Sequence, residues 1–262
     1  MNICINSFLP LRAEPDSGAE MVSQLVFGDR FRILENRDSW NRVERSFDKY
    51  QGWIGDLGFV SVEPEMLTDQ EQVFFDGEFI PVFIEKEGYK TWIRLSKGAI
   101  WPFKTLPEPQ IPFNLGNGIS VEVQSGCISP IKSFSRSAVI ETAFGFLGVP
   151  YLWGGNTTFV FDCSGLVQTV FRLCGYPMPR DAKDQQKIGT SVSLDNAQPG
   201  DLVFFHSGNP EKITHVGILI SEDIVLHASG FVKQNQLRSE GLYDPLKGNI
   251  SHYLQSINTC FQ

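Results

Sequence analysis

The chain has 262 residues, 42% of them hydrophobic and 20% charged, enough for one large domain or two to three small ones with cores of their own. Its formal net charge is −8 and no basic block occurs, which argues against nucleic acid or an anionic membrane surface as the main partner. Five scattered cysteines (Cys4, Cys127, Cys163, Cys174 and Cys260), with no CxxC pair, form no disulfide framework, so a reducing, cytoplasmic setting is expected.

The first ten residues carry no Lys or Arg before a short apolar run that Asn6, Ser7 and Pro10 interrupt. They read neither as a secretory signal nor as a membrane span. Residues 1–66 read as all-β. The apolar runs at Met21–Val22, Leu25–Phe27, Phe31–Leu34, Trp40–Val43 and Gly52–Ile54 alternate with turn-forming residues, as in a small barrel. Residues 67–131 continue the pattern with runs at Val73–Phe75, Phe79–Ile84, Tyr89–Leu95 and Ile119–Val123, which suggests a second, divergent barrel. Asp76-Gly77 and Glu87-Gly88 are hairpin signals there. The Pro-rich span Leu106–Pro112, followed by Gly116-Asn117-Gly118, is expected to be a long loop or an insertion.

From Ser133 the period changes, and residues 132–262 read as a third domain. Ser137–Leu147 has helical spacing and ends at Gly148 and Pro150. After an aromatic, Gly-rich loop comes a second helical stripe of Leu166, Val167, Val170, Phe171 and Cys174, with Cys163 at its start. One or two helical turns are expected at Asp181–Gln186, then strands at Leu202–Phe205, Ile213–Ile220 and Ile224–Ala228. Helices first and antiparallel strands second indicate an α+β domain.

Cys163 is the candidate nucleophile, because a helix N-terminus offers unpaired N–H groups and the positive end of the dipole, both of which favour a thiolate. Cys174 lies on the apolar stripe of the same helix and reads as core. A catalytic thiol needs a base and a group to orient it. Of the four histidines, His215 and His227 lie on successive strands and come within one or two residues of opposition if those strands form a hairpin. His215 shares its strand face with Gly217, which is expected to leave room for the Cys163 helix. His206 and His252 receive no task. No cofactor motif is present, and no further Cys, His or carboxylate recurs at metal-ligand spacing. The residues alone leave three readings open: a Cys-His-His hydrolase, core histidines, or a metal pair.

The strings "PYLWGGNTTFVFDCSGLVQ", "PRDAKDQ", "QPGDLVFF", "THVGILI" and "VLHAS" resemble, in order and spacing, the NlpC-type papain-like peptidases of bacterial cell-wall peptides. Residues 11–44 and "DKYQGWIG" resemble a bacterial SH3-type domain. The resemblance implies SH3-like barrels followed by an α+β papain-like catalytic domain with a central antiparallel sheet. It implies Cys163 as nucleophile, His215 as general base, His227 as the group orienting it, and Tyr151 near the oxyanion. Trp153, Asp162 and Ser164 would wall the substrate groove, and Asp181 lies in a segment that helps form it. Tyr50 and Glu20 match barrel residues that close one end of the groove and meet a free amine. The implied substrate is a peptidoglycan stem peptide, L-Ala-γ-D-Glu-diamino acid, cleaved after the γ-D-glutamyl residue. Ala182 departs from the hydroxyl residue common in relatives, so one substrate contact is expected to be missing. A secreted murein hydrolase, an acyltransferase and a non-catalytic wall-peptide binder are the competing readings.

Overall fold

Alternating apolar residues need a partner face to bury them, and short runs between turns find it by pairing edge to edge. The computed structural model describes residues 1–124 and 128–261, so Cys127 lies outside the described residues. The chain divides into two compact units, Met1–Ile131 and Lys132–Gln262.

In the N-terminal unit, seven strands form one antiparallel sheet. They are β1 (Asn2–Cys4), β2 (Phe8–Arg12), β3 (Met21–Val26), β4 (Arg30–Arg37), β5 (Trp40–Arg45), β6 (Gln51–Gly55) and β7 (Phe59–Ser61), in the order β3-β2-β6-β5-β4-β1-β7. Cys4, Leu9, Leu11, Leu25, Phe31, Val43 and Ile54 make its core, with Tyr50 packed against it. Trp53 is buried, its ring capped by the Arg37 guanidinium at 4.9 Å.

Seven further strands follow: β8 (Val73–Phe75), β9 (Phe79–Lys86), β10 (Tyr89–Ser96), β11 (Ile100–Trp101), β12 (Phe113–Gly116), β13 (Ile119–Val123) and β14 (Ile128–Pro130). They form two sheets, β10-β9-β13-β12 and β11-β8-β14. Their core around Trp101, Phe75 and Phe103 is continuous with Ile3 and Val60 of the first sheet and with Phe27 and Val62 just beyond its strands. Arg30 ties the two halves together by donating to Thr68 O, Thr68 Oγ1 and Pro102 O.

Two turn signals resolve differently from expectation. Glu87-Gly88 does turn β9 into β10, both residues having positive φ. Asp76-Gly77 makes no hairpin, because β8 pairs with β11 and β14 instead of β9. Asp76 is spent on Ser129 and Lys97. Conversely, Gly116-Asn117-Gly118 is a hairpin turn rather than loop. Three successive positive φ values there (90°, 53° and 69°) let β12 fold back on β13.

The C-terminal unit holds α1 (Arg136–Phe144), capped by Ser135, which accepts from Ala138 N, then α2 (Cys163–Leu173) and α3 (Ala182–Gln185). A small ribbon, β15 (Asn156–Thr157) and β16 (Val160–Phe161), precedes α2. The main sheet contains β17 (Thr190–Val192), β18 (Leu202–His206), β19 (His215–Leu219), β20 (Ile224–Ser229), β21 (Phe231–Arg238), β22 (Gly241–Asp244) and β23 (Asn249–Thr259). Its order is β17-β23-β18-β19-β20-β21-β22, with a further β22–β23 pairing. At 11 residues β23 is long enough to pair with β18 through one half and β22 through the other. That closes six strands, β18 to β23, into a ring. Helix α2 lies on β19 and β20. Its fully buried Leu166, Val167, Val170, Phe171 and Leu173 contribute roughly 1.5–3 kcal/mol each and hold Cys163 in place.

Candidate active site

Cys163 is the first residue of α2, and Asp162 is its N-cap, accepting from Gly165 N at 2.7 Å. The other Asp162 oxygen accepts from Gly154 N at 2.8 Å, tying the cap to the preceding loop. A Cβ on Gly165 would lie 2.1 Å from Gly155 O, so only glycine lets the helix start against that loop. The Cys163 sulfur takes a backbone hydrogen bond from Val216, next to His215 on β19.

The helix start alone favours a thiolate, yet burial dominates. Desolvation first, then the Asp162 charge, push the Cys163 thiol up to about 12, while the N–H of Val216, Arg180 and the N–H of Ser164 oppose them. Burial, followed by His227 and His252, holds His215 well below its ordinary value. Burial therefore favours the neutral form of both side chains, thiol and imidazole.

The hydrogen bonds define which nitrogen of His215 is bare. Asn235 Nδ2 donates to Tyr243 O at 2.7 Å, which turns Asn235 Oδ1 toward His227 Nε2 at 2.9 Å. A carbonyl oxygen only accepts, so His227 Nε2 carries the hydrogen and its Nδ1 is bare. His227 Nδ1 then accepts from His215 Nε2 at 2.8 Å. His215 Nδ1 is left as the basic nitrogen, which is what a general base beside Cys163 requires. The β19–β20 register, Ile218 opposite Leu226, extends to set His227 opposite Gly217, two residues from direct opposition to His215.

Gly217 makes room for its hairpin neighbours rather than for the helix: a Cβ there would meet Val225 at 2.4 Å and His227 at 3.0 Å. Asn235 was not a candidate from sequence. Its signal was a polar residue on the same strand face as buried Leu237. Asn235→Ala is expected to lower kcat about tenfold with KM little changed, the worth of one buried hydrogen bond; steady-state kinetics check it.

Acid should destabilise this unit. The unfolded chain binds protons on its histidines near the ordinary 6.5, whereas burial holds folded His227 at about 4. Folding free energy therefore falls as pH drops from about 6.5 toward 4. Urea midpoints across that window should fall less steeply in His227→Gln; equal slopes in both proteins would contradict buried neutral imidazoles.

Arg180, which sequence reading passed over inside "PRDAKDQ", anchors the other side of the site. It is 2% exposed and donates to Asp162 Oδ1 at 3.0 Å, Asp162 Oδ2 at 2.5 Å and Ser164 Oγ at 2.9 Å. Asp162 (5% exposed) and Ser164 (7%) are buried alongside Cys163 (6%). The Asp162 carboxylate is filled by two backbone N–H groups, Arg180 and the Ser164 hydroxyl at 3.3 Å, so it serves as cap and counter-ion. Gln185 Nε2 ties α3 to α2 by donating to Ser164 O and Pro179 O.

Tyr151 is half-buried, and burial, then the Cys163 and Asp162 charges, push its hydroxyl up to about 12, with Arg180 opposing. It stays a protonated donor near the thiol. Trp153 is 58% exposed. Asp181 sits at the N-cap position of α3, half-exposed like Ala182 after it. Tyr50 and Glu20 belong to the N-terminal unit, Tyr50 half-buried just before β6 and Glu20 exposed just before β3. Among the described residues no His, Cys, Asp and Glu cluster could hold a metal ion.

Residues 148–250 match the model of the NlpC/P60 family, and residues 11–56 that of the bacterial dipeptidyl-peptidase Sh3 domain. The gamma-D-glutamyl-L-lysine dipeptidyl-peptidase of Bacillus cereus (strain ATCC 10987 / NRS 248) is 37% identical over 233 residues, covering 80% of this chain and 67% of that protein. The chain belongs to the NlpC/P60 family. The protein of the same name from Bacillus subtilis (strain 168) is 29% identical over 216 residues, 79% of this chain and 71% of its own length. A crystal structure of an NlpC/P60 family protein from Bacillus cereus ATCC 10987 matches 100% of this chain and 99% of its own with a TM-score of 0.83. At 19% identity that likeness speaks for the fold alone. As an NlpC/P60 member with an N-terminal SH3-like domain, the chain is a cysteine-type peptidase.

Proposed function

We propose that this peptidase hydrolyses the γ-D-glutamyl–diamino acid bond of peptidoglycan stem peptides that carry a free N-terminal L-Ala, in cell-wall peptide turnover. The observation that carries the reading is the oriented relay Asn235–His227–His215 beside Cys163 at the start of α2. The names of the Bacillus relatives support the substrate class. We assign the catalytic unit to the papain-like class, on the strength of a cysteine helix laid across strands that carry the histidines. Among the described residues four thiols, Cys4, Cys163, Cys174 and Cys260, are free, which supports a reducing, cytoplasmic setting.

In the proposed reaction, Sγ attacks the γ-carbonyl carbon while its proton passes to His215 Nδ1. The Cys163 N–H at the helix start and the Tyr151 hydroxyl meet the developing oxyanion. The imidazolium then protonates the leaving amine of the diamino acid, the C–N bond breaks, and a thioester remains. Water, deprotonated by His215, hydrolyses the thioester and returns the thiol. Recognition of the free amine is assigned to Tyr50 and Glu20, from the motif around Tyr50. A charge-assisted hydrogen bond to the ammonium rejects acylated or glycan-linked peptides.

The test is mass-spectrometric cleavage mapping of the free-amine tripeptide L-Ala-γ-D-Glu-diamino acid, its N-acetyl form and its disaccharide-linked form. Cleavage of the first alone, after γ-D-Glu, is expected. Equal rates on the acetylated peptide would remove the amine-recognition assignment, and no cleavage of any form would overturn the substrate.

A further inference from the structure

One imidazole beside this relay is left without a task. His252, on β23, stacks on the His215 ring with centroids 4.1 Å apart and planes 26° from parallel. Its ring is 6.1 Å from that of His227, and Phe205 lies against both His215 and His252, at 6.0 and 6.4 Å. His252 Nδ1 is 3.0 Å from the Ser251 hydroxyl. The strand is irregular at this point. Leu242 pairs with His252 but Tyr243 pairs with Ile250, so Ser251 is an extra residue immediately before the histidine. Bulges of this kind re-aim a side chain and recur beside active sites. His215 thus has its Nε2 held by His227 and one ring face covered by His252.

We propose that His252 is a positioning residue for His215: its ring holds the His215 plane so that Nδ1 stays turned to Cys163, and its charge, once it takes a proton, keeps His215 a free base. This rests on the reading of His215 as general base. The groups that face His252 are His215 on β19, His227 on β20, Lys233 on β21, Asp244 on β22 and Lys247 in the following turn. Burial, Lys233 and Lys247 hold His252 below its ordinary value, with Asp244 opposing. His215 is likewise held below its ordinary value, by burial, His227, His252 and Lys233, so a proton on His252 and one on His215 oppose each other.

The experiment uses the full chain and two readouts. In His252→Gln, which keeps a polar group but removes the charge, the His215 ring should titrate at higher pH than in wild type, by about one pH unit, as loss of an adjacent like charge dictates. NMR of the imidazole C–H signals reads this without any substrate. In His252→Ala, kcat on the free-amine tripeptide should fall about tenfold or more at unchanged KM, because a loosened base misplaces the reacting atoms. His252→Phe, which restores a flat ring without a titrating group, should recover more than half of that loss. An unchanged His215 titration in His252→Gln, or wild-type kcat in His252→Ala, overturns the proposal. A wild-type protein that cleaves no peptide overturns the proposed function instead, and the NMR titration still decides the part of His252.

Discussion

Cys163→Ala is expected to abolish peptide hydrolysis, lowering kcat/KM by about 10⁴-fold or more, as removal of a nucleophile does in comparable relays. Folding should survive the change. The helix is anchored by its buried apolar stripe and by the Asp162 cap, neither of which uses the thiol. Circular dichroism and the urea midpoint should therefore stay near wild type while product formation disappears. Cys174→Ala is the control: its thiol is buried on the same helix and contacts the Thr142 hydroxyl at 3.6 Å, away from the relay. Activity retained in Cys163→Ala, or lost equally in Cys174→Ala, would remove the assignment of the nucleophile.

Arg180→Met should give the largest loss of stability. The guanidinium is the counter-charge of a carboxylate that is itself 5% exposed, and deleting it leaves Asp162 charged and unpaired in the interior. Breaking one side of a buried pair costs about 3–5 kcal/mol, far more than an exposed pair is worth. The urea midpoint of the C-terminal unit should fall accordingly. Adding Asp162→Asn to Arg180→Met should recover part of the loss, because the two changes share one interaction. A loss under about 1 kcal/mol in the single variant would mean the pair is not desolvated as the structure describes. Activity should fall as well, since Asp162 caps the helix whose first residue is Cys163.

Much of this was legible in order along the chain. Local rules placed α1 and α2, the three central strands β18 to β20 and the Glu87-Gly88 turn, because each depends on residues a few positions apart. They failed where a partner lay far away. Asp76-Gly77 has the composition of a hairpin turn, but β8 finds its neighbours at Ile100–Trp101 and Ile128–Pro130, which no local window contains. The Gly116–Gly118 segment, masked by the prolines before it, became a hairpin because β13 also pairs with β9.

For the site, the sequence by itself determined the family motifs and, within them, the candidate thiol and the two candidate imidazoles. Those follow from residue type and short spacing: a cysteine ahead of an amphipathic stripe, and histidines on neighbouring strands. Only the tertiary structure decided the protonation chemistry. Burial outweighs the helix dipole at Cys163, because desolvating a charge costs more than a few aligned N–H groups return. The tautomer of His215 is set by Asn235, eight positions beyond His227 and across a strand pair. Arg180 reaches back 18 residues to Asp162, and His252 joins from a strand whose place is set by closure of the ring. Burial, hydrogen-bond direction and ring closure are properties of packed neighbours, and packing brings together residues that the sequence keeps apart.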